Sequence, residues 1–239
     1  MPRKLEITTI VPCVNNCSYC AQSTFKASTT NMKKKMSFED FKKIMKNVPK
    51  DITIEFAGFS EAFANKESSL MMKYCVEEGY ETHIYTTLVG FTEKDAEILK
   101  GIVFNVVSFH IFEGIDMEKF NVSRKLFKDN IRIKIEREAR LTVETGYSRA
   151  GETKPATEKL GSFYCGSTKD FDHNVLLPNG DISICCMDYG LKHIIGNLFE
   201  IHYDNLDRQS IKDLANKQKS EIICRKCEVM VERYPLPKF

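Results

Sequence analysis

The sequence predicts an α/β fold: an open, partial (β/α) barrel of about five to six parallel strands, followed by a small C-terminal α+β unit. Short β-branched runs alternate with amphipathic helical stretches from residue 4 to about residue 138, which is typical of βαβ units on a parallel sheet. This alternation stops near residue 150, where the polar, turn-rich segment "AGETKPATEKLGS" begins. Because eight such units would close a full barrel, we expect an open barrel in residues 1–150 and a second domain in residues 151–239.

Each predicted element rests on its own pattern. The strands are "KLEITTIV", "DITIEFAG", "ETHIYTTL", "NVVSFHIF" and "IRIKIERE", and the helices between them are "SFEDFKKIMKNV", "SSLMMKYCVEEG", "TEKDAEILKG" and "DMEKFNVSRKLFKD". The first helix has Ser37 as its N-cap, with Asp40 three residues later. Beyond the turn-rich segment, "NVLLPNGDISICCM" predicts a hairpin, followed by a short strand near "HIIGNL" and a helix around "QSIKDLANKQ".

The bulk composition excludes some classes of function. A net charge of +2 over 239 residues gives no general argument for binding nucleic acid or an anionic membrane. We see neither an export signal nor an apolar stretch of transmembrane length, so we expect a soluble, cytoplasmic protein without a nucleic-acid or membrane partner. Nine cysteines in a reducing compartment indicate metal binding or catalysis rather than a disulfide framework.

Three cysteines lie close together in "VPCVNNCSYCAQ", with the spacing C-x3-C-x2-C: Cys13, Cys17 and Cys20. They directly follow the first predicted strand, and in parallel sheets the functional site lies at the carboxyl ends of the strands. Three thiolates are one fewer than the four that close a zinc site or an iron–sulfur cluster. The alternatives are therefore a cluster with an open position, a zinc knuckle that lacks its fourth ligand, and buried structural thiols.

Four further cysteines form a second group in the last third of the chain: Cys165, Cys185, Cys224 and Cys227. Four thiolates suit both an iron–sulfur cluster and a structural zinc ion, and the residues alone leave both open. Cys75 lies on a predicted helix beside apolar residues, so we expect it to pack in the core. Cys186 follows Cys185 on a predicted strand and should point to the opposite face, as a buried hydrophobe or, less often, a hydrogen-atom donor.

The first cysteine group resembles the signature of the radical S-adenosylmethionine enzymes, in which an aromatic residue, here Tyr19, precedes the last cysteine. "FAGFSEAF", at the end of the second strand, looks like the family's G-G-E-P-type segment, although Ser60 and Ala62 replace its second glycine and its proline. The resemblance implies that Gly58 allows close backbone approach. It also implies that Glu61 accepts from the amino group of S-adenosylmethionine.

Two later segments extend this resemblance over about the first 110 residues. "YTTLVG" ends the third strand and is similar to the family's T-N-G segment, with Thr87 where asparagine is more usual. "VVSFHI" on the fourth strand places Ser108 where the family contacts the ribose or the carboxylate. In this family the open iron binds S-adenosyl-L-methionine, and one electron from the cluster gives methionine and a 5′-deoxyadenosyl radical that abstracts a hydrogen atom.

The second cysteine group resembles the auxiliary-cluster domain of sulfatase- and peptide-maturing radical enzymes, in the shortened SPASM or "twitch" form with one cluster. The chain ends twelve residues after Cys227, so we expect no second auxiliary cluster. The family spacing G-x4-C favours Cys185 over Cys186 as a ligand. The implied cofactors are S-adenosylmethionine and two 4Fe-4S clusters, one binding S-adenosylmethionine and one auxiliary, with an external donor such as flavodoxin or ferredoxin.

The size, the single auxiliary cluster and the five-strand core resemble the aminocyclitol dehydrogenases of aminoglycoside biosynthesis. This implies oxidation of a hydroxyl of a sugar or aminocyclitol-like small molecule, with Arg149 of "SRAG" at the substrate hydroxyl. The alternative for Arg149 is a surface or salt-bridged arginine. The alternatives for function are modification of a short peptide, by a thioether or carbon–carbon cross-link or by epimerisation, and a non-enzymatic iron–sulfur or zinc protein.

Overall fold

Ten strands and six α-helices make up the computed structural model, which describes residues 3–168 and 170–233. The strands are β1 (Lys4–Ile7), β2 (Thr53–Phe56), β3 (Thr82–Thr86), β4 (Val103–Phe112), β5 (Arg132–Leu141), β6 (Phe163–Cys165), β7 (His173–Leu176), β8 (Asp181–Ser183), β9 (Ile194–Asn197) and β10 (Met230–Glu232). The helices are α1 (Gln22–Ser28), α2 (Phe38–Met45), α3 (Ser68–Glu77), α4 (Glu93–Ile98), α5 (Met117–Asn130) and α6 (Arg208–Asn216).

Eight of these strands form one sheet in the order β5-β4-β3-β2-β1-β7-β8-β9. The first five predicted strands pair in parallel, and β7 adds a sixth parallel strand beside β1. The predicted α/β fold with five to six parallel strands is therefore confirmed. The predicted hairpin is β7 and β8, which pair antiparallel. The sheet runs across residue 150, and the division into two domains at that point stays a prediction.

The two faces of the sheet differ in chemistry because successive side chains of a strand point to opposite sides. Leu5, Ile54 and Ile84 are fully buried on the face that packs against the helices. The other face carries charged residues at neighbouring positions, since Glu6 lies beside Glu55 in the register of β1 and β2. The inside of the partial barrel is thus polar at its centre, where a full barrel of this kind usually holds branched apolar side chains.

Local signals read from the sequence hold in the structure. The Asp40 amide donates to Ser37 Oγ at 3.1 Å, which caps α2 as predicted. Cys75 is fully buried within the core, which confirms its packing role. Among residues 3–168 and 170–233, no helix is long and apolar enough to cross a membrane.

Three elements were missed by the sequence prediction. Helix α1 has seven residues, of which Phe25 alone is buried, and it lacks a side-chain N-cap, so its sequence carries almost no helical period. Strands β6 and β10 form a separate antiparallel pair, with Cys165 opposite Met230. Strands of three residues are too short to show an alternating pattern.

Candidate active site at the carboxyl ends of the strands

A cavity of about 340 Å³ opens at the carboxyl ends of the parallel strands. Apart from Ser108, it brings together all of the candidate site residues that the sequence singled out outside the second cysteine group, namely Cys13, Cys17, Tyr19, Cys20, Gly58, Glu61, Thr87 and Arg149. Ser108 is buried on β4 but does not line this cavity, and its predicted ligand contact stays a prediction. His110 lines the cavity instead, because it lies two residues nearer to the carboxyl end of the same strand.

The three cysteines of the first group are surrounded by hydrogen-bond donors. Cys13 Sγ accepts from the amides of Asn15 at 3.4 Å and Glu61 at 3.3 Å. The Cys17 thiol donates to the Cys20 sulfur, and this hydrogen bond, with those of Tyr189 and the nearby positive charge of Arg149, lowers the pKa of Cys20 to about 6. The Tyr189 hydroxyl lies 3.5 Å from Cys20 Sγ. Burial raises the pKa of Cys13 to about 11, and the hydrogen bond with Cys20 raises the pKa of Cys17. The surroundings therefore favour the thiolate, which is the form that binds metal, at Cys20 but not at the other two cysteines.

Glu61 is a buried carboxylate held from several sides. One oxygen accepts from the Thr87 amide at 2.8 Å and the Thr87 hydroxyl at 2.7 Å, and the other accepts from the Thr86 hydroxyl. Burial raises the pKa of Glu61, and these hydrogen bonds oppose the rise. Asn15 Nδ2 donates to Thr87 Oγ1 at 2.9 Å, which ties the cysteine loop to the end of β3. The carboxylate is therefore fixed in position at the cavity wall.

Gly58 occupies a position that no other residue fits. Its φ is +74°, and a Cβ there would lie 2.4 Å from Thr8 Oγ1 and 3.0 Å from Val175 Cγ1. The Phe59 amide donates to the same Thr8 hydroxyl at 3.0 Å. Close backbone approach was predicted from the sequence, and the structure shows that the neighbours approached are strand side chains.

Three buried polar atoms on the cavity wall have no hydrogen-bond partner among the described residues: Gln22 Oε1, Ser60 Oγ and Arg149 Nε. An unpaired buried polar atom costs about 1–3 kcal/mol, so several on one wall point to a ligand that satisfies them. Together with three convergent thiols, this wall fits an iron–sulfur cluster and a polar small molecule beside it.

Arg149 lies in the cavity wall, so the alternative of a surface arginine is wrong. Its guanidinium carbon is 5.7 Å from the centre of the Tyr189 ring, and Nη1 is 3.7 Å from Met187 Sδ. No carboxylate of the described residues forms an ion pair with it, which removes the salt-bridge alternative as well. Burial opposes the charge, but the Tyr189, Cys186 and Cys20 side chains raise the pKa of Arg149.

The backbone of "SRAG" holds Arg149 in an unusual conformation. Arg149, Ala150 and Gly151 have φ values of +53°, +55° and +92°. The first two of these left-handed conformations are unfavourable for residues with a Cβ and occur mostly where the surroundings impose them. The buried Ser148 donates its amide to Glu228, the residue after Cys227, so the turn is tied to the second cysteine group.

The second cysteine group lines a smaller cavity, of about 80 Å³, whose other walls are mostly apolar but include Ser167, Thr168 and His173. All four of its members line this cavity: Cys165, Cys185, Cys224 and Cys227. Burial, and then the neighbouring thiols, raise the pKa of Cys185 and Cys224. Four thiols around one small cavity form a closed donor set, which fits a tetrahedrally held group and leaves no position for an outside ligand.

Arg225, between two of these cysteines, was not singled out from the sequence. It is 1% exposed, and its guanidinium donates to the carbonyls of Lys159 and Gly161 at 3.0 Å each and of Ser220 at 3.2 Å. Lys217 also accepts from it, so its carbonyl partners lie in two loops, the one before β6 and the one after α6. Arg225 therefore fixes the loop that carries Cys224 and Cys227. An arginine between two cysteines gives no recognisable sequence signal for this.

Cys186 and Met187 line both cavities, so a single layer of side chains separates the two sites. Cys185 lines the second cavity but not the first, as expected if Cys185, rather than the adjacent Cys186, is the ligand. Sequence reasoning also missed Glu6, Glu55 and Tyr85, which line the floor of the first cavity.

Comparison with known proteins agrees with the second cysteine group and with the fold. Residues 165–228, which contain the whole second cysteine group, match the SPASM family, described as an iron–sulfur cluster-binding domain. The fold is similar to that of BtrN in complex with AdoMet and 2-DOIA, with a TM-score of 0.62 and 16% identity over 96% of this chain and 93% of that one. The predicted resemblance to the SPASM domain is therefore confirmed for residues 165–228, and the fold of the chain resembles that of a protein whose structure contains AdoMet.

Two further solved structures have a similar fold. BtrN in an open conformation has a TM-score of 0.60 and 18% identity, covering 99% of this chain and 98% of that one. The native anSMEcpe enzyme with bound AdoMet has a TM-score of 0.58 and 13% identity, covering 95% and 86%. No curated protein sequence matches the chain at a significant level.

Proposed function

We propose that this chain is a radical S-adenosylmethionine oxidoreductase of the dehydrogenase type, which oxidises a hydroxyl of a sugar or aminocyclitol-like small molecule. The observation that carries the proposal is the convergence of Cys13, Cys17 and Cys20 with Glu61 and unpaired polar atoms in one cavity, separated by one layer of side chains from a closed four-cysteine site. Oxidation of an alcohol releases one hydrogen atom, one proton and one electron, and two adjacent redox sites suit that division.

The cofactors proposed are two 4Fe-4S clusters and S-adenosylmethionine. When bound, the first cluster and S-adenosylmethionine would supply the radical that takes a hydrogen atom from the substrate. The second cluster would be held by Cys165, Cys185, Cys224 and Cys227 and would serve electron transfer, because its donor set is closed. An external donor such as flavodoxin or ferredoxin would reduce the enzyme, in the cytoplasm, where thiols stay reduced.

The protein's own residues would bind S-adenosylmethionine, orient the substrate and keep water and oxygen away from the reaction. Glu61, fixed by Thr87, presents a carboxylate to the amino group of S-adenosylmethionine, and Gly58 keeps the backbone of that segment in place. Arg149 presents its unpaired Nε to the cavity and can donate a hydrogen bond to a substrate hydroxyl. The buried aromatic pair of Phe59 and Tyr189, with ring centres 5.0 Å apart, limits the access of water and oxygen to one side of the cysteine loop.

The test is anaerobic reconstitution with iron and sulfide, reduction with dithionite, and an assay of 5′-deoxyadenosine and iron. We expect about eight irons per chain, as two four-iron clusters require, and 5′-deoxyadenosine that depends on S-adenosylmethionine. Screening of cyclitols and amino sugars should then give a ketone product. About four irons with one zinc would remove the electron acceptor and contradict the dehydrogenase assignment, and a cross-linked or epimerised peptide product would favour peptide modification.

A further inference from the structure

The floor of the first cavity carries a group of ionisable side chains that have no role in the proposed function. Glu6 on β1 and Glu55 on β2 both line the cavity, and both are almost completely buried. His173 on β7 places its Nε2 2.8 Å from Glu6 Oε1 and 3.5 Å from Glu55 Oε2. These three residues come from neighbouring strands, so their arrangement depends on the pairing of β7 with β1.

The two carboxylates differ in how many cations they face. Glu55 is within 2.7 Å of Lys4 Nζ and 3.2 Å of His83 Nδ1, in addition to His173. Burial alone would raise the pKa of Glu55, but these partners hold it well below its usual range. A carboxylate paired so completely is a poor proton acceptor, because its charged form is already stabilised.

Glu6 is the less satisfied of the two. Its one ion-pair partner among the described residues is His173, which it shares with Glu55, and the Cys186 thiol also donates to it. Although burial opposes the charge, the two carboxylates raise the pKa of His173 to about 10, so the imidazole is charged at neutral pH. The charged and titratable groups that face Glu6 are His173, Glu55, Tyr85, Cys186 and Arg149.

Oxidation of a hydroxyl needs a group that takes up the hydroxyl proton, and Arg149 cannot, since a guanidinium stays protonated in proteins. Arg149 and Glu6 line the same cavity and influence each other electrostatically. A guanidinium that donates to a hydroxyl oxygen and a carboxylate that accepts from a hydroxyl or ammonium group form complementary contacts. Together they suit a polyol that carries an amino group.

Resting on the proposed function, we propose that Glu6 binds the substrate at the floor of the first cavity and accepts the proton released when the substrate hydroxyl is oxidised. The substrate class that fits is a small polyhydroxylated molecule with an amino group. In the balanced step, the substrate carbon would lose its hydrogen atom to the radical that bound S-adenosylmethionine would supply, and the oxygen would lose its proton to Glu6. The iron–sulfur cluster that the second cysteine group would hold would take the remaining electron, and the carbon–oxygen single bond would become the double bond of a ketone.

The test compares Glu6→Gln with Glu81→Gln in the anaerobically reconstituted enzyme. Glu81 is a matched control because it lies at the exposed end of the same network, 2.9 Å from His83 Nε2. Calorimetric titration with S-adenosylmethionine present would use 2-DOIA as the amino-bearing probe and myo-inositol as the neutral probe. We expect Glu6→Gln to weaken 2-DOIA binding about ten- to hundredfold, as for a lost charged hydrogen bond, and Glu81→Gln to behave as the wild type.

Turnover gives a second measurement, the ratio of 5′-deoxyadenosine to ketone, which would not change if Glu6 were only structural. Loss of the proton acceptor should slow ketone formation by about 10²- to 10⁴-fold, so the ratio of 5′-deoxyadenosine to ketone should rise at least about tenfold. Glu6→Asp should restore part of the coupling, because it keeps a carboxylate. Unchanged 2-DOIA affinity and an unchanged ratio in Glu6→Gln would overturn the proposal, and equal losses in both Gln variants would also overturn it.

Further outcomes separate this proposal from the proposed function. If the wild type forms no 5′-deoxyadenosine, the proposed function itself fails. If it forms 5′-deoxyadenosine but binds neither probe, the substrate class assigned here is wrong. If Glu6→Gln does not retain iron, Glu6→Ala, which also lacks the carboxylate, carries the test, and wild-type affinity and ratio in that variant would overturn the role of Glu6.

Discussion

The two cysteine groups of this chain lie on either side of Cys186 and Met187, yet their surroundings differ in almost every respect. The first has three cysteines in a cavity of about 340 Å³, whose wall carries unpaired polar atoms. The second has four cysteines around about 80 Å³ of mostly apolar space, with Ser167, Thr168 and His173 also in its wall. The number of thiols therefore corresponds to the chemistry of the cavity wall. The site with three thiols, which leaves one ligand position open, also has polar atoms that can contact a ligand.

Two arginines, Arg225 buried and Arg149 half-buried, repeat this contrast. Arg225, beside the second group, donates to backbone carbonyls from two loops, and each of its guanidinium nitrogens has a partner. Arg149, beside the first group, has a buried Nε without a partner and a left-handed backbone. A buried arginine whose donors are all used stabilises a loop, whereas one with a free donor in a cavity is available for a ligand.

The largest effect is expected from removal of one ligand in the first group. Cys17→Ala should abolish 5′-deoxyadenosine formation, by at least about 10³-fold, and lower the iron content by about half, because an open three-thiolate site cannot lose a further ligand. Iron analysis and chromatographic assay of 5′-deoxyadenosine check this. Cys75→Ala is the control, since this core cysteine lines neither cavity. Retained 5′-deoxyadenosine formation in Cys17→Ala would contradict the assignment of the first group.

Removal of the second group should separate radical formation from oxidation. Cys224→Ala combined with Cys227→Ala should also lower iron by about half. The variant should keep 5′-deoxyadenosine formation within about threefold but lose ketone formation, because the electron has no acceptor. The measurement is the ratio of the two products under single-turnover conditions. Normal ketone yield in this variant would show that the second group is not the electron acceptor.

Glu61→Gln should weaken S-adenosylmethionine binding by about ten- to hundredfold, because a buried carboxylate that pairs with a charged amino group is lost. Calorimetry of the unreduced, reconstituted protein measures this. Glu67→Gln is the control, since Glu67 is a partly exposed carboxylate on the same segment, paired with Lys35. If both variants bind S-adenosylmethionine as the wild type does, Glu61 is a structural residue that holds Thr86 and Thr87.

Gly58→Ala should lower the free energy of unfolding by about 2–4 kcal/mol, because it adds a clash with Thr8 to an unfavourable positive φ. Gly79→Ala is a matched control: its φ is +83°, but nothing lies within 4 Å of the added Cβ. We expect about 1–2 kcal/mol there, from the backbone alone. Denaturant unfolding of the two variants compares them, and equal losses would show that close packing at Gly58 is unimportant.

The pH dependence of stability tests the ion pairs of His173 with Glu6 and Glu55. A histidine whose pKa is raised to about 10 adds stability that is complete below about pH 6.5, its unfolded value, and is lost as the pH rises toward 10. One such group contributes a slope of at most about 1.4 kcal/mol per pH unit. Between pH 7 and 9, the free energy of unfolding of the wild type should therefore fall more steeply with pH than that of His173→Gln. Parallel curves would contradict the ion pair with Glu6 and Glu55.

Much of the first site could be predicted because its signals are local. The spacing of three cysteines and the turns that hold Gly58, Glu61 and Thr87 follow directly from short segments at strand ends. The floor could not be predicted in this way. A glutamate in a four-residue strand such as β1 has the pattern of a solvent-facing position, and only the pairing of β7 with β1 brings His173 to Glu6 from 167 positions along the chain.

The division of roles between the two groups is tested most directly by electron paramagnetic resonance of the reduced protein, with and without S-adenosylmethionine. The spectra to compare are those of Cys224→Ala/Cys227→Ala, which keeps the first group, and Cys13→Ala/Cys17→Ala/Cys20→Ala, which keeps the second. We expect S-adenosylmethionine to change the spectrum of Cys224→Ala/Cys227→Ala and to leave that of the triple variant unchanged. A change confined to the protein that keeps only the second group would contradict this expectation.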